Sequence, residues 1–385
     1  MRIAGAYALV AAIVAAVFAA GLLGGGYRAI ERSDYMTYHV AARIVLDGDG
    51  DCLYDVACQE AAQRELIGED PSFARGALPF NSPPWLAALV APLGLLSLQA
   101  GFALFTLIGL AVLGWGVWRV SARPGATNAS RTLAVVMILT AWPTVMGAVR
   151  GQSTLAVVGL LGLSVAGSGA ALGLATLKPT LQPLWTAWLL LNRRWRELGL
   201  ALALLVALIL VGLVVVSPQA LAAYPAHLLG VAAPDALGVH PQEMINWRGV
   251  AERLNAGPPL IVAGTAATLA LVVLAWWRGR SRLVAAATAF LATPLVIPHA
   301  NQHEAILAEL GVLLLFVASG GNRARVALAA IATHAALWVG PVLQAESAEA
   351  SAWLLFLAIL AWLIVAVFVA RAGNGSYSHA RDSVR

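Results

Sequence analysis

A carboxylate near the start of a long polar segment could do acid–base chemistry. Asp34 begins a stretch with helical spacing that runs to Leu46, shortly after the first apolar run. On a helix Asp34 and Tyr38 share one face. A carboxylate in this position suits a general base that removes a proton from a hydroxyl group. A helix cap is the alternative interpretation, because aspartate is a favoured N-cap residue.

A lysine and two histidines in the second half of the chain are candidates for binding an anion. Lys178 is the only lysine among 24 basic residues and falls near the middle of an apolar run. An ionisable group inside a membrane is by default a functional candidate, although a helix break at Lys178 would carry the amine to an interface. His299, Asn301 and His303 lie together before another apolar run. The two histidines have the spacing of a metal pair but lack a third ligand, so hydrogen bonding to phosphate suits them better.

Four further polar residues interrupt apolar sequence. Asn81 precedes two prolines and Trp85, Arg150 and Gln152 lie at a helix junction, and Arg248 lies in a second polar loop. An arginine at such a place either binds an anion or extends its side chain to the membrane surface. For Asn81 the structural and functional interpretations carry equal weight.

The remaining acidic and thiol groups predict no cofactor. The run from Asp47 to Asp51 resembles a DxD site and the start of an EF-hand, but Cys52 and Cys58 occupy the positions where an EF-hand needs glycine and glutamate. A solvated turn is the better interpretation. Cys52 and Cys58 could form a disulfide in an oxidising compartment or remain free thiols, and two thiols are too few for a zinc site. The sequence leaves any metal requirement open.

Composition decides what kind of protein must position these groups. The chain has 385 residues, of which 60% are hydrophobic and 11% charged, whereas soluble domains are about a quarter charged. This is the composition of an integral membrane protein. The net charge of +5 is spread over small arginine clusters between apolar runs, which argues against nucleic-acid binding.

The apolar runs predict one all-α domain over residues 1–385 with twelve transmembrane helices. The runs lie at 3–25, 83–98, 100–119, 131–149, 153–166, 169–191, 197–216, 258–277, 283–297, 302–318, 324–343 and 351–370. Two long polar loops remain, at 26–81 with juxtamembrane helices and at 217–257. A polar loop of that length is typical of a functional segment.

Arginine placement predicts the orientation, because cytoplasmic loops are rich in arginine and lysine. Twelve spans put most arginine clusters on one side, among them Arg2, Arg193, Arg194, Arg196, Arg278, Arg280, Arg282, Arg323, Arg325, Arg371, Arg381 and Arg385. The 26–81 loop, the 217–257 loop and His299 then lie outside. The same count places Arg119, Arg123 and Arg131 outside too, unless the segment 83–119 is not two full spans.

The order of these motifs resembles that of glycosyltransferase family 87, the polyprenyl-phosphate-mannose-dependent mannosyltransferases of the GT-C superfamily. The matching stretches span most of the chain: Asp34-Tyr35, Leu46-Asp47-Gly48, Leu53-Tyr54-Asp55, Phe80 to Trp85, Gly151-Gln152, Leu177-Lys178-Pro179, Arg193-Arg194-Trp195, Met244 to Gly249, and Pro298-His299. The chain departs from the family where Asn81-Ser82 precede the paired prolines, since the family often has Tyr-Pro-Pro.

The resemblance implies an inverting transfer of mannose from a polyprenyl-phosphate donor to a glycolipid or glycan acceptor, with Asp34 as general base and His299 at the donor phosphate. Charge and location add Arg248, Lys178, His303 and Arg150 as phosphate candidates. The candidate contacts to acceptor or sugar are Tyr38, Asn81, Gln152 and Asn301. These residues form the predicted site.

The resemblance also implies a location and partners. The expected site is the outer face of a bacterial cytoplasmic membrane, and the expected partners are the lipid-linked donor, the acceptor and the bilayer. The oligomeric state stays open. A lipid or solute transporter is the alternative, but transporters usually have repeated halves and short loops. A structural assembly factor is a further alternative, which would tolerate loss of Asp34.

Overall fold

A computed structural model describes residues 33–68, 78–122, 126–231, 240–279, 281–319, 329–338 and 348–382, with isolated positions before residue 33. Over these residues every regular element is helical, in agreement with the predicted all-α class. The α-helices are α1 (Tyr35–Leu46), α2 (Val56–Ile67), α3 (Pro84–Val90), α4 (Leu98–Val120), α5 (Asn128–Leu139), α6 (Trp142–Arg150), α7 (Thr154–Val165), α8 (Gly169–Leu174), α9 (Pro183–Leu191), α10 (Trp195–Val215), α11 (Pro218–Val231), α12 (Trp247–Arg253), α13 (Gly257–Arg278), α14 (Arg282–Val296), α15 (Ala305–Ala318), α16 (Ala329–Trp338) and α17 (Ala348–Asp382). Short 3-10 helices lie at Gly50–Cys52, Ala91–Leu95, Ala175–Leu177, Pro179–Leu181, Pro241–Glu243 and Gln302–Glu304.

Four of the described helices are long and apolar enough to cross a bilayer: α4, α10, α13 and the 349–370 part of α17. A fifth span is possible if α5 and α6, which meet at a bend of 59°, count as one. The chain is therefore an integral membrane protein by length and composition. The other predicted spans are shorter helices here, and the predicted first span, 3–25, lies almost wholly outside the described residues, so the count of twelve stays a prediction.

The termini of the helices gather at two opposite ends of the helix bundle. At one of them, which we name the arginine end, Arg282 at the start of α14 pairs with Glu197 in the first turn of α10 at 2.5 Å. The Arg282 guanidinium also donates to the carbonyl oxygens of Ser164 and Val165, where α7 ends. The opposite termini of α7 and α14 define the loop end, where α1 lies.

Arg119 lies at the arginine end together with Arg282, although the twelve-span count put these two residues on opposite sides unless 83–119 is not two full spans. It lines a shallow cavity together with Val165 and Arg282. Arg131 lies beside it, because its guanidinium stacks on Trp118 at 3.9 Å from the ring centre. The arginines of this segment that the structure describes therefore agree with the others, while Arg123 falls outside the described residues.

Arg119 and Arg131 lie at the arginine end because the segment Pro84–Leu95, which was predicted as part of a full span, does not cross the bundle. Its first turn lies against α10 at the loop end, since a Cβ atom at Gly212 would be 3.3 Å from the backbone nitrogen of Trp85. Its last turn is still at the loop end, since a Cβ atom at Gly94 would be 3.1 Å from the Cβ of Ala42 in α1. This segment therefore returns to the end from which it started, and α4 makes the first described crossing.

A second correction concerns the run 169–191, which was predicted as one span. It breaks at Lys178, whose backbone angles (φ −138°, ψ 81°) are not helical, because Pro179 disfavours helical geometry in the residue before it. Gly169 packs against Glu197 at the arginine end, and the Trp185 indole returns there to donate to Ser164 Oγ at 2.9 Å. The run is a helical hairpin with Lys178 at its apex.

Part of the first polar loop folds into the helices α1 and α2, joined by a disulfide-closed turn. Cys52 and Cys58 are bonded to each other, which settles the alternative left open by the sequence. The buried amide of Gln59 donates to the carbonyl of Leu53 and accepts from the backbone of Phe80. These bonds hold Phe80, at the end of the first polar loop, against Leu53 and Gln59 in the middle of that loop. The side of the membrane on which the loop lies stays a prediction.

Close helix contact through glycine generates a stability prediction. A Cβ atom at Gly116 in α4 would lie 2.1 Å from the carbonyl oxygen of Gly159 in α7. We expect Gly116→Ala to destabilise the protein by about 1–3 kcal/mol, the usual effect of overpacking, and to lower the midpoint of thermal unfolding in detergent. Gly114→Ala is the matched control on the same helix, because its Cβ would lie 3.6 Å from Val135. Equal midpoints for both variants would contradict the α4–α7 contact.

Candidate active site

A cavity of about 160 Å³ opens at the loop end and gathers residues from distant parts of the chain. Its lining comes from the start of α1, the segment before α3, the turn between α6 and α7, the break at Lys178, helix α11 and the turn before α15. Eight of the ten predicted site residues line it: Asp34, Tyr38, Asn81, Gln152, Lys178, His299, Asn301 and His303. Hydropathy alone could not have predicted that these segments meet.

Asp34 occupies the N-cap position of α1, but its side chain makes no capping hydrogen bond. Its Oδ2 atom instead accepts a hydrogen bond from Nε2 of Gln152 at 2.5 Å. The backbone carbonyl of Asp34 accepts a bond from the Thr37 hydroxyl at 2.8 Å. The carboxylate therefore belongs to the cavity, and the capping interpretation does not describe its contacts. Tyr38, one turn later, lines the same cavity, as the shared helix face predicted.

Lys178 extends its amine into a set of polar partners at the break between α8 and α9. The ammonium donates to Glu304 Oε1, to Thr154 Oγ1 at 2.8 Å and to Gln152 Oε1 at 3.4 Å. The chain breaks at Lys178, which is the alternative that the sequence analysis named, and the amine lies at the loop end. Its side chain is 21% exposed and that of Glu304 is 1% exposed, so the ion pair is largely withdrawn from water.

Glu304 is the central residue that the sequence analysis did not select. Besides Lys178, its Oε1 lies 2.9 Å from Nε2 of His303, and its Oε2 accepts the backbone N–H of Asn301 at 2.7 Å. The last contact belongs to a capping box at the start of the Gln302–Glu304 turn. A signal was present, because a carboxylate directly before an apolar run must find a partner when it is buried. Glu304 was not selected because the sequence analysis considered only the neighbouring His299, Asn301 and His303 as ligands.

The turn that carries His299 is held by the second large polar loop. The backbone N–H of Ile245 donates to the carbonyl of Ala300 at 2.9 Å, and the Asn246 amide donates to the carbonyl of Ile297 at 2.8 Å. His299 Nε2 lies 3.2 Å from the Asn301 amide. Among the described residues its buried Nδ1 atom has no hydrogen-bond partner. His299 thus lines the cavity with one buried ring nitrogen that has no partner among the described residues.

Burial lowers the pKa of His299 to about 4, and the positive charges of Lys178, His303 and Arg248 add to this effect, whereas Glu304 opposes it. The imidazole is therefore neutral near pH 7. Since Glu304 already compensates the charge of Lys178, the lining carries less positive charge than its residue types suggest. A bound phosphate would restore charge to this site, because an anion beside His299 raises its pKa.

Two predicted phosphate residues do not line the cavity. Arg248 lies in α12, close enough to His299 to contribute to the lowered pKa of that imidazole. Arg150 ends α6 with an exposed side chain. Asn81 does line the cavity, where its Oδ1 atom lies 2.9 Å from Nε2 of His227 in α11. Helix α11 also contributes Tyr224 and Leu228, which the sequence did not single out.

The buried ion pair generates a second prediction. Glu304→Gln leaves the Lys178 ammonium without its anionic partner, and breaking one side of a buried pair costs about 3–5 kcal/mol. We expect a large drop in the unfolding midpoint in detergent. The double variant Lys178→Met with Glu304→Gln removes both charges and should recover part of that loss. If the double variant is less stable than Glu304→Gln by the full effect of Lys178→Met alone, the two residues are not coupled.

Comparison with known proteins gives one match. The family model described as glycosyltransferase family 87 matches residues 80–298, which is more than half of the chain. Ten of the residues that line the cavity fall within this range: Asn81, Ser82, Pro83, Gln152, Leu177, Lys178, Pro179, Thr180, Tyr224 and Leu228. A search of curated proteins and a search of solved structures each gave no significant match. The matched range contains the described helices from α3 to α14, whereas Asp34 and the turn from His299 to Glu304 lie outside it. The chain belongs to glycosyltransferase family 87 and is a membrane glycosyltransferase.

Proposed function

We propose that this enzyme transfers mannose from a polyprenyl-phosphate donor to a hydroxyl group of a glycolipid or glycan, with inversion, on the extracytoplasmic face of a bacterial cytoplasmic membrane. One observation carries the proposal. A single cavity holds a carboxylate that makes no ion pair in the described structure, Asp34, together with Lys178, His299 and His303. Membership of a glycosyltransferase family sets aside the transporter alternative.

The chemistry needs one base on the acceptor side. Asp34 takes the proton of the acceptor hydroxyl while that oxygen attacks the anomeric carbon of the sugar. The bond between this carbon and the phosphate oxygen breaks, and its electron pair leaves with the polyprenyl phosphate. A single displacement of this kind inverts the anomeric centre. Since only Oδ2 of Asp34 is held by Gln152, Oδ1 can face the acceptor.

The leaving group supports a site without a second carboxylic acid. A phosphate monoester departs without protonation when hydrogen-bond donors and cations stabilise its developing charge, whereas glycosidases protonate a poorer leaving group with an acid. His299 and Lys178 both line this cavity. Arg248, near His299, provides a further positive charge. These three residues are our candidates for holding the donor phosphate.

The distribution of arginine supports the proposed side of the membrane. Seven of the clustered arginines that the structure describes lie at or next to the arginine end: Arg119, Arg131, Arg193, Arg194, Arg196, Arg278 and Arg282. The cavity lies at the opposite ends of α7 and α14. Basic residues mark the cytoplasmic side. The Cys52–Cys58 disulfide at the loop end suits an oxidising compartment.

The proposed base is tested by Asp34→Asn. An asparagine keeps the size of the side chain but cannot accept the proton, so we expect kcat to fall by at least about 10²-fold. The measurement is transfer of radiolabelled mannose from synthetic polyprenyl-phosphate-mannose to a membrane-lipid extract by purified protein. The KM for the donor should stay within about threefold, because a missing base removes transition-state stabilisation more than binding.

Asp49→Asn is the matched control, because Asp49 is an exposed aspartate in the turn that follows α1. This variant should transfer sugar at the wild-type rate. If Asp34→Asn also keeps full activity, the base is another residue. If the wild type transfers neither mannose nor other hexoses and pentoses from polyprenyl-phosphate donors, the proposed donor class is wrong.

The proposed side of the membrane is tested by cysteine labelling in intact spheroplasts. Glu65 in α2 and Asn192 after α9 are both exposed and lie on opposite sides in our proposal. A membrane-impermeant maleimide should modify Glu65→Cys before lysis and Asn192→Cys only after lysis. The native cysteines are protected by their disulfide. The reverse labelling order would place the cavity on the cytoplasmic side.

A further inference from the structure

The side chain of Gln152 is placed between the two oppositely charged groups of the cavity. Its Nε2 atom donates to Asp34 Oδ2 at 2.5 Å, and its Oε1 atom lies 3.4 Å from Lys178 Nζ. A carboxylate can only accept and an ammonium can only donate. The orientation of the amide is therefore determined by its neighbours, with nitrogen toward Asp34 and oxygen toward Lys178.

The backbone around Gln152 keeps this amide in place. The residue is 6% exposed, and its N–H donates to the carbonyl of Gly147 in the last turns of α6 at 2.8 Å. Gly151 adopts a left-handed conformation with φ +62°, and a Cβ atom there would lie 2.6 Å from the Cβ of Tyr35. Only glycine allows the turn to approach the start of α1 so closely. The chain thus brings Gln152 directly to Asp34.

The arrangement has a chemical consequence for the proposed base. The Asp34 carboxylate and the Lys178 ammonium contact opposite ends of the same amide, and a direct ion pair between them would make the carboxylate a weaker base. Glu304 holds the other side of the ammonium, so Lys178 already has an anionic partner. Gln152 accordingly keeps the two charges apart and leaves one carboxylate oxygen for the acceptor.

We propose that Gln152 is a positioning residue for Asp34, which orients the carboxylate and separates it from Lys178. This replaces the sequence-based prediction that Gln152 contacts the acceptor or the sugar. The inference rests on the proposed function, because it assigns a role toward the base of that reaction. It is limited to atoms that already touch each other in the described structure.

Two substitutions test it by kinetics. Gln152→Met has a similar length but no amide, so we expect kcat to fall by about 10²-fold through misplacement of the base, while the donor KM stays within about threefold. Gln152→Glu puts a second carboxylate against Asp34, and two carboxylates in contact share a proton. The acid limb of the kcat profile should then move to higher pH by at least about one unit.

A structural role alone would not move the pH profile, and Gln59 provides the control. It is a buried glutamine that also uses both ends of its amide, toward Leu53 and Phe80. Gln59→Glu and Gln59→Met are expected to lower thermal stability while the acid limb stays at its wild-type pH. Normal kcat in Gln152→Met and an unmoved acid limb in Gln152→Glu would overturn the inference while the proposed function stands.

An infrared titration of the purified protein distinguishes a failure of the inference about Gln152 from a failure of the proposed reaction, since it needs no sugar donor. The carboxylate band of Asp34 is assigned by subtracting the spectrum of Asp34→Asn. Its titration midpoint should be higher in Gln152→Glu than in the wild type. An unchanged midpoint overturns the inference. A raised midpoint in a protein that transfers no sugar keeps the contact and rejects the proposed reaction.

Discussion

A lysine and a glutamate at two helix breaks form the ion pair on which the cavity depends. Removing an ion from water costs several kcal/mol, so neither buried charge can leave its partner. Lys178 is the apex of the hairpin between α8 and α9, and Glu304 is the last residue before α15. The pair therefore ties the hairpin to the turn that carries His299. The Thr154 hydroxyl adds the start of α7 to the same point.

The same pair determines the electrostatics of the proposed donor site. Because Lys178 and Glu304 compensate each other, the residues facing a phosphate offer hydrogen bonds more than net charge. A neutral His299 is consistent with that, since its imidazole can bind without a standing positive charge that would compete for Asp34. In this view the lipid-linked phosphate brings the negative charge that changes the protonation of the site. His299 is therefore expected to become positively charged only when the donor phosphate is bound.

The sequence singled out eight of the residues that line the cavity and misjudged how the chain reaches it. Asp34, Lys178 and His299 were recognisable because polar groups beside long apolar runs need a reason to be there. Glu304 was missed because a glutamate beside a histidine at the start of a run looks like an ordinary terminus. The segments 83–98 and 169–191 were read as spans because hydropathy measures how apolar a segment is and carries no information about its direction. Pro92 and Pro179 were the available warnings.

The two errors in the span prediction had opposite effects on the topology. Treating 84–95 as a crossing adds one passage, and treating the hairpin at Lys178 as one crossing removes one. Among the described residues, the helices α10, α13 and α14 therefore run in the relative directions that the sequence predicted, and only the stretch between the two errors was inverted. That stretch contains Arg119 and Arg131, the residues that violated the arginine rule. The violation marked the inverted segment, so arginine placement was a better guide to direction here than the number of apolar runs.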